Sequence, residues 1–152
     1  TFKNFYKNLK NHNQIIYVKN RFQKHPFYKH FILKDERYDL WFVGRSVILK
    51  HSKFLRILDY YGDFKSKTLD QSFARFCINN NYHHVEFMHY GDDKDNILKS
   101  GFKKVNDKKN ILPILSEPYS GLKNSNIRIA FKDFKKVKIV KGDVDADRPN
   151  LI

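Results

Sequence analysis

Three aromatic and β-branched runs follow one another between residues 27 and 61, and their spacing constrains the fold more than any other feature of the chain. Phe27 to Lys34, Leu40 to Lys50 and Phe54 to Tyr61 each have the length and composition of a strand. The links between them, Asp35-Glu36-Arg37 and His51-Ser52-Lys53, are short and polar, which predicts hairpins. Ahead of these strands the apolar spacing is helical. Phe2, Phe5, Tyr6 and Leu9 share one face, and Ile15, Ile16, Val18 and Phe22 continue after the Asn11-His12-Asn13 break. Pro26 ends that helix, because the residue before proline is pushed toward extended geometry.

Gly62-Asp63 closes the third strand, and Ser66 or Thr68 caps a helix running to about Asn80. Leu69, Phe73, Phe76 and Cys77 or Ile78 face inward, and Asn79-Asn80-Asn81 stops the helix. His84 to Tyr90 alternates as a strand that ends at Gly91. Asp92 and Asp93 then open a short helix, where negative charge suits the positive end of the helix dipole. Gly101 sits where a C-terminal cap glycine belongs. Ile111 to Leu115, Ile127 to Phe131 and Val137 to Val140 read as later strands. The expected fold class is α+β: one domain over residues 1–152, with a mainly antiparallel sheet flanked by helices.

At 152 residues, 41% of them hydrophobic and 16% aromatic, the chain is long and apolar enough to bury a core. It has no run of about 18 apolar residues, so no membrane span is expected. The opening Thr-Phe-Lys-Asn-Phe-Tyr has neither an initiating Met nor an apolar signal core, and reads as the cut end of a longer protein. The lone Cys77 excludes an internal disulfide and a Cys-based zinc site, reads as core filler, and fits a cytoplasmic location. A net charge of +14 invites a nucleic-acid reading, but lysine outnumbers arginine 23 to 7 and is spread along the whole chain. Nucleic acid is therefore disfavoured, and the same field suits an anionic small molecule such as a nucleotide sugar.

The tail Lys141-Gly-Asp-Val-Asp-Ala-Asp-Arg-Pro-Asn150 stands apart from this basic background. Asp143, Asp145 and Asp147 alternate like the first ligands of a calcium loop. Position six, however, is Arg148 and no glutamate follows, so no metal is expected. Arg148 and the aspartates read instead as part of a polar pocket, with a solvated terminus as the alternative.

Leu98-Lys-Ser-Gly-Phe102 resembles the L-x-x-G-F segment of the GNAT acyltransferase fold, where a cap glycine precedes a phenylalanine that plugs the core. From about residue 17 the chain resembles a GNAT-like family encoded among bacterial surface-polysaccharide genes. The matching residues are Arg21, Phe22, His25, Pro26, Phe27 and Tyr28, then Leu55-Arg-Ile-Leu-Asp-Tyr-Tyr-Gly-Asp63. They continue with Glu86-Phe87, Tyr90-Gly91, Gly101-Phe102, Pro113, Glu117-Pro118 and the acidic tail. The resemblance implies a GNAT-like fold, an acyl-CoA donor, no other cofactor, and an N-terminal GNAT-like half in the parent chain. Two departures weaken the enzymatic side of it. The pyrophosphate loop is replaced by Tyr61-Gly-Asp-Phe-Lys-Ser-Lys67, leaving Lys65, Ser66 and Lys67 as the only cofactor-binding candidates. Ile97 stands where many of these enzymes carry a tyrosine acid.

Acyl transfer to an amine needs a base, and the candidates are Asp59 and Glu86 at strand ends; the alternative is that each pairs with Arg45 or Arg56. Candidate substrate contacts are Arg21, His25, Tyr28, Arg45, His89, Tyr90, Glu117, Asp143, Asp145, Asp147, Arg148 and Asn150. Arginine is sparing here, and its fork binds carboxylate or phosphate bidentately as lysine cannot. His25 equally serves to organise the helix-to-strand turn, and His89 to close a strand. Three readings stay open. The chain is an acyltransferase acting on an amino sugar or nucleotide sugar, a non-catalytic GNAT-like module that binds a ligand or partner, or a basic nucleic-acid binder.

Overall fold

The three apolar runs form the expected meander: β1 (Phe31–Asp35), β2 (Leu40–Leu49) and β3 (Ser52–Tyr61) pair antiparallel in sequence order. In this computed structural model, residues 1–9, 11–35, 39–49, 51–64, 69, 71–91, 93–105 and 138–140 are described. The first strand starts four residues later than the sequence predicts. The amides of Phe27 and Tyr28 both turn to His25 Nδ1, at 3.2 and 3.1 Å, and the ladder begins only beyond them.

Alternation along β2 splits the core. Leu40 and Phe42 join a cluster with Ile57, Tyr60, Phe64, Ile97 and Val140, whereas Trp41 and Val43 join one with Phe5, Val18, Phe22 and Leu58. The second cluster is covered by α1 (Phe2–Tyr6), α2 (His12–Val18) and a π-helical turn over Lys19–Gln23. Ile16, expected on the inner face, is instead 45% exposed.

On the other face lies α3 (Gln71–Asn79), which packs Phe73 against Phe42 and Phe76 against Phe31. Cys77 is half-buried and Ile78 exposed, which decides between the two inward candidates. Asn81 adopts a left-handed φ of 56°, and the Tyr82 amide donates to the Cys77 carbonyl, closing the helix as the asparagine run predicts. After α3, β4 (Val85–Phe87) pairs parallel with Leu55–Ile57 at the edge of the described sheet, giving the order β1-β2-β3-β4. The predicted strand from His84 to Tyr90 is broken at Met88. Its second part, β5 (His89–Gly91), pairs antiparallel with β6 (Lys138–Val140) in a separate two-stranded sheet. Between them in sequence comes α4 (Lys94–Lys99).

One irregularity in β3 sets up the site. Val43 pairs with Asp59 but Gly44 pairs with Ile57, so Leu58 is an extra residue in a β-bulge. Ile57 and Tyr60 consequently share one cluster while Leu58 and Tyr61 pack with the other, a phase that plain alternation would forbid. Beyond the bulge, Gly62 turns the chain with φ +103°; a Cβ there would lie 2.5 Å from the Asp39 carbonyl. The Leu98–Phe102 segment behaves as its pattern predicts. Gly101 has φ +111° and Phe102 packs on the core, its ring 5.5 Å from Phe87. Over the described residues the fold is α+β with a mainly antiparallel four-stranded sheet. Among the described residues, no helix is long and apolar enough to cross a membrane.

Candidate functional site

β3 and β4 run parallel only as far as Ile57 and Phe87, and then the chain partners differ: β3 stays with β2 while β5 goes to β6. Polar side chains gather where they part, at the carboxyl ends of two parallel strands, a position at which open sheets commonly receive ligands. The bulge aims Tyr60, 1% exposed, at this point. Its hydroxyl donates to Asp93 Oδ2 at 2.5 Å and lies 3.4 Å from His89 Nε2. Asp93 is the N-cap residue of α4, yet its side chain makes no capping hydrogen bond; the carboxylate serves Tyr60 instead. Because the phenol proton is given to Asp93, the Tyr60 oxygen is left to accept from His89. A hydrogen bond in that direction calls for the neutral imidazole tautomer with its proton on Nε2 and its lone pair on Nδ1.

Lys138 closes the group from β6. Its ammonium donates to the Tyr60 carbonyl, lies 3.4 Å from Asp59 Oδ1, and sits 3.7 Å from the centre of the Tyr60 ring. Burial raises the Tyr60 phenol well above its ordinary value, and the hydrogen bond and charge of Asp93, with the charges of Asp59 and Asp63, add to this. His89 is pushed below 6.5, mainly by burial and also by Lys138, with Asp93 pulling the other way. The result is a phenol that keeps its proton and an imidazole that is neutral at neutral pH.

His89 also lines a cavity of about 800 Å³ between α3, β4, α4 and the Phe102–Val105 segment. Its walls include Phe73, Phe87, Ile97 and Phe102. Lys94, Lys103 and Lys104 stand exposed among its lining residues.

The other residues singled out from sequence fall into distinct places. Glu86 accepts from Arg56 Nε at 2.8 Å in a buried ion pair, one of the two pairings anticipated for it. Asp59 accepts from the Tyr60 amide at 2.7 Å and the Tyr61 hydroxyl at 2.7 Å, besides its contact with Lys138. His25 takes the two amides of its turn and stacks on Tyr28 at 5.0 Å, and the Arg45 guanidinium lies 4.0 Å from the Tyr28 ring centre. His25, Tyr28 and Arg45 therefore form one stack on the α1–α2 side of the sheet. Arg21 lies on the π-helical turn, and Tyr90 is 57% exposed on β5. Lys65, Ser66, Lys67, Glu117, Asp143, Asp145, Asp147, Arg148 and Asn150 lie outside the described residues. Ile97, at the position compared with a tyrosine acid, is buried in the core.

Sequence reasoning placed His89 and Asp59 here but missed Tyr60, Asp93 and Lys138 as their partners. Only the bulge reveals where Tyr60 points. Among the described residues, no group of His, Cys, Asp and Glu is arranged to hold a metal ion. No protein-family model matches the chain, and neither a curated protein nor a solved structure matches it significantly.

Proposed function

We propose that the chain is a GNAT-like acyltransferase that moves an acyl group from a thioester such as acyl-CoA to the amine of an amino sugar or nucleotide-linked amino sugar. The observation that carries this reading is His89, a neutral imidazole lining an apolar cavity, held by the Tyr60 hydroxyl, which is itself anchored on Asp93. The acceptor amine attacks the thioester carbonyl, a C–N bond forms, and an amine proton passes to His89. The C–S bond then breaks, and the thiolate takes the proton back from the imidazolium, leaving an amide and a free thiol. Asp59 and Glu86, the carboxylates first considered as bases, spend their oxygens on Lys138, Tyr61 and Arg56, which favours His89 for the role. Asp59 then acts by positioning Lys138. The resemblance to surface-polysaccharide proteins supports a sugar acceptor and a cytoplasmic site of action.

A second reading is favoured by one observation, the buried Ile97 at the compared tyrosine position: a GNAT-like module that binds ligand without turnover. Release of free thiol from acetyl-CoA and lauroyl-CoA, with glucosamine and a UDP-linked amino sugar as acceptors, separates the two. Release that is lost in His89→Gln supports the enzyme; stabilisation by a ligand without any release supports the module.

A further inference from the structure

Several polar groups of the lining are already committed to the protein. Ser100 Oγ donates to the Ile97 carbonyl at 2.7 Å, Glu86 holds Arg56, and His89 faces Tyr60. A ligand seated deep in the cavity therefore finds apolar area but few hydrogen-bonding groups, which suits a hydrocarbon and penalises a sugar or a nucleobase. The volume of about 800 Å³ is that of a site for a sizeable organic ligand, far larger than an acetyl group fills. The exposed part of the lining has the opposite character. Lys94, Lys103 and Lys104 carry positive charge there, beside Leu98 and Val105, which are 38% and 36% exposed. None of the three lysines forms an ion pair with another described residue.

We propose that this cavity binds a long aliphatic chain bearing an anionic head group, the chain lying between Phe73, Phe87 and Phe102 and the head group meeting Lys103 and Lys104. As the donor for acyl transfer, which rests on the proposed function, this makes the transferred group a long acyl chain rather than acetyl. The anionic head would belong to the thioester carrier. His89 lines the same cavity, so the proposed base and the proposed acyl chain share one site.

The test is direct binding of decyl phosphate, hexyl phosphate and decanol, below their micellar concentrations, by calorimetry. Decyl phosphate should bind at least tenfold more tightly than hexyl phosphate, well within the roughly fourfold per methylene that full burial allows. Ala74→Trp, at an exposed position on α3 that lines the cavity, should weaken decyl phosphate at least tenfold while keeping the native circular dichroism. Lys103→Glu with Lys104→Glu should weaken decyl phosphate several-fold and leave decanol unchanged. Equal binding of the two phosphates overturns the inference, as does a folded Ala74→Trp protein that binds like the native one. Equal loss of decanol and decyl phosphate in the double variant overturns the head-group assignment. Acetyl transfer without decyl phosphate binding sinks this inference and leaves the acyltransferase standing; decyl phosphate binding without any transfer does the reverse.

Discussion

The Tyr60 hydroxyl lies 3.4 Å from His89 Nε2 although the two residues belong to strands of different sheets. This contact bridges the place where the parallel strands part company, and the bulge at Leu58 makes it possible by turning Tyr60 toward β5. With Asp93 on one side and Lys138 on the other, the pair forms a polar knot in an otherwise aromatic part of the core.

The ionisation of His89 is the first consequence. Its folded value lies below 6.5, so between that value and 6.5 the unfolded chain binds the proton more readily. His89 therefore contributes stability that is full above pH 6.5 and lost as pH falls through its lowered value. A histidine-resolved NMR titration should find it below 6.5. Lys138→Met should move it up, because a neighbouring cation is removed, and Asp93→Asn should move it further down.

Removing the Tyr60 hydroxyl leaves Asp93 and His89 without a shared partner in a buried place. Tyr60→Phe should cost about 1–2 kcal/mol in denaturant titration, with little change in the unfolding slope. No loss of stability would mean that water replaces the hydroxyl and that the knot is not structurally coupled.

Glu86 and Arg56 are 8% and 1% exposed, so the ion pair is deeply held. Glu86→Ala should destabilise by about 3 kcal/mol, because it strips a buried guanidinium of a carboxylate. The double change Glu86→Leu with Arg56→Met should recover most of that loss. If the double variant is as unstable as the single one, the pair has a structural role beyond mutual neutralisation.

Two glycines separate backbone strain from steric clash. Gly101→Ala meets no atom within 4 Å and should cost only about 1 kcal/mol for its positive φ. Gly62→Ala carries the same kind of strain and also places a methyl 2.5 Å from the Asp39 carbonyl, so its loss should exceed about 2 kcal/mol. Thermal unfolding of the two variants side by side checks the order.

Much of the architecture was legible from residue pattern. The alternation in residues 40–61 gives the meander, Asn81 and Gly101 mark the ends of α3 and α4, and Phe102 finds the core as the Leu-x-x-Gly-Phe spacing implies. The break at Met88 was not read from the pattern: the consecutive apolar pair Phe87-Met88 interrupts the alternation there, but a strand tolerates such a pair, and only the change of pairing partner divides it. The site was half legible for the same reason. His89 and Asp59 stand out as residue types, but Tyr60 reads as one aromatic among many until a bulge shifts its phase. Lys138 is one of 23 lysines with nothing local to distinguish it. Asp93 looks like a helix cap, and only its geometry shows the carboxylate turned to a tyrosine.

The most direct test of the proposed chemistry is the pH dependence of kcat/KM for thiol release from lauroyl-CoA with an amino-sugar acceptor, in the native protein and in Lys138→Met. If His89 is the base, the acid limb inflects below 6.5, moves upward in Lys138→Met, and disappears with the activity in His89→Gln. An acid limb that stays in place in Lys138→Met, or activity that survives in His89→Gln, contradicts the assignment.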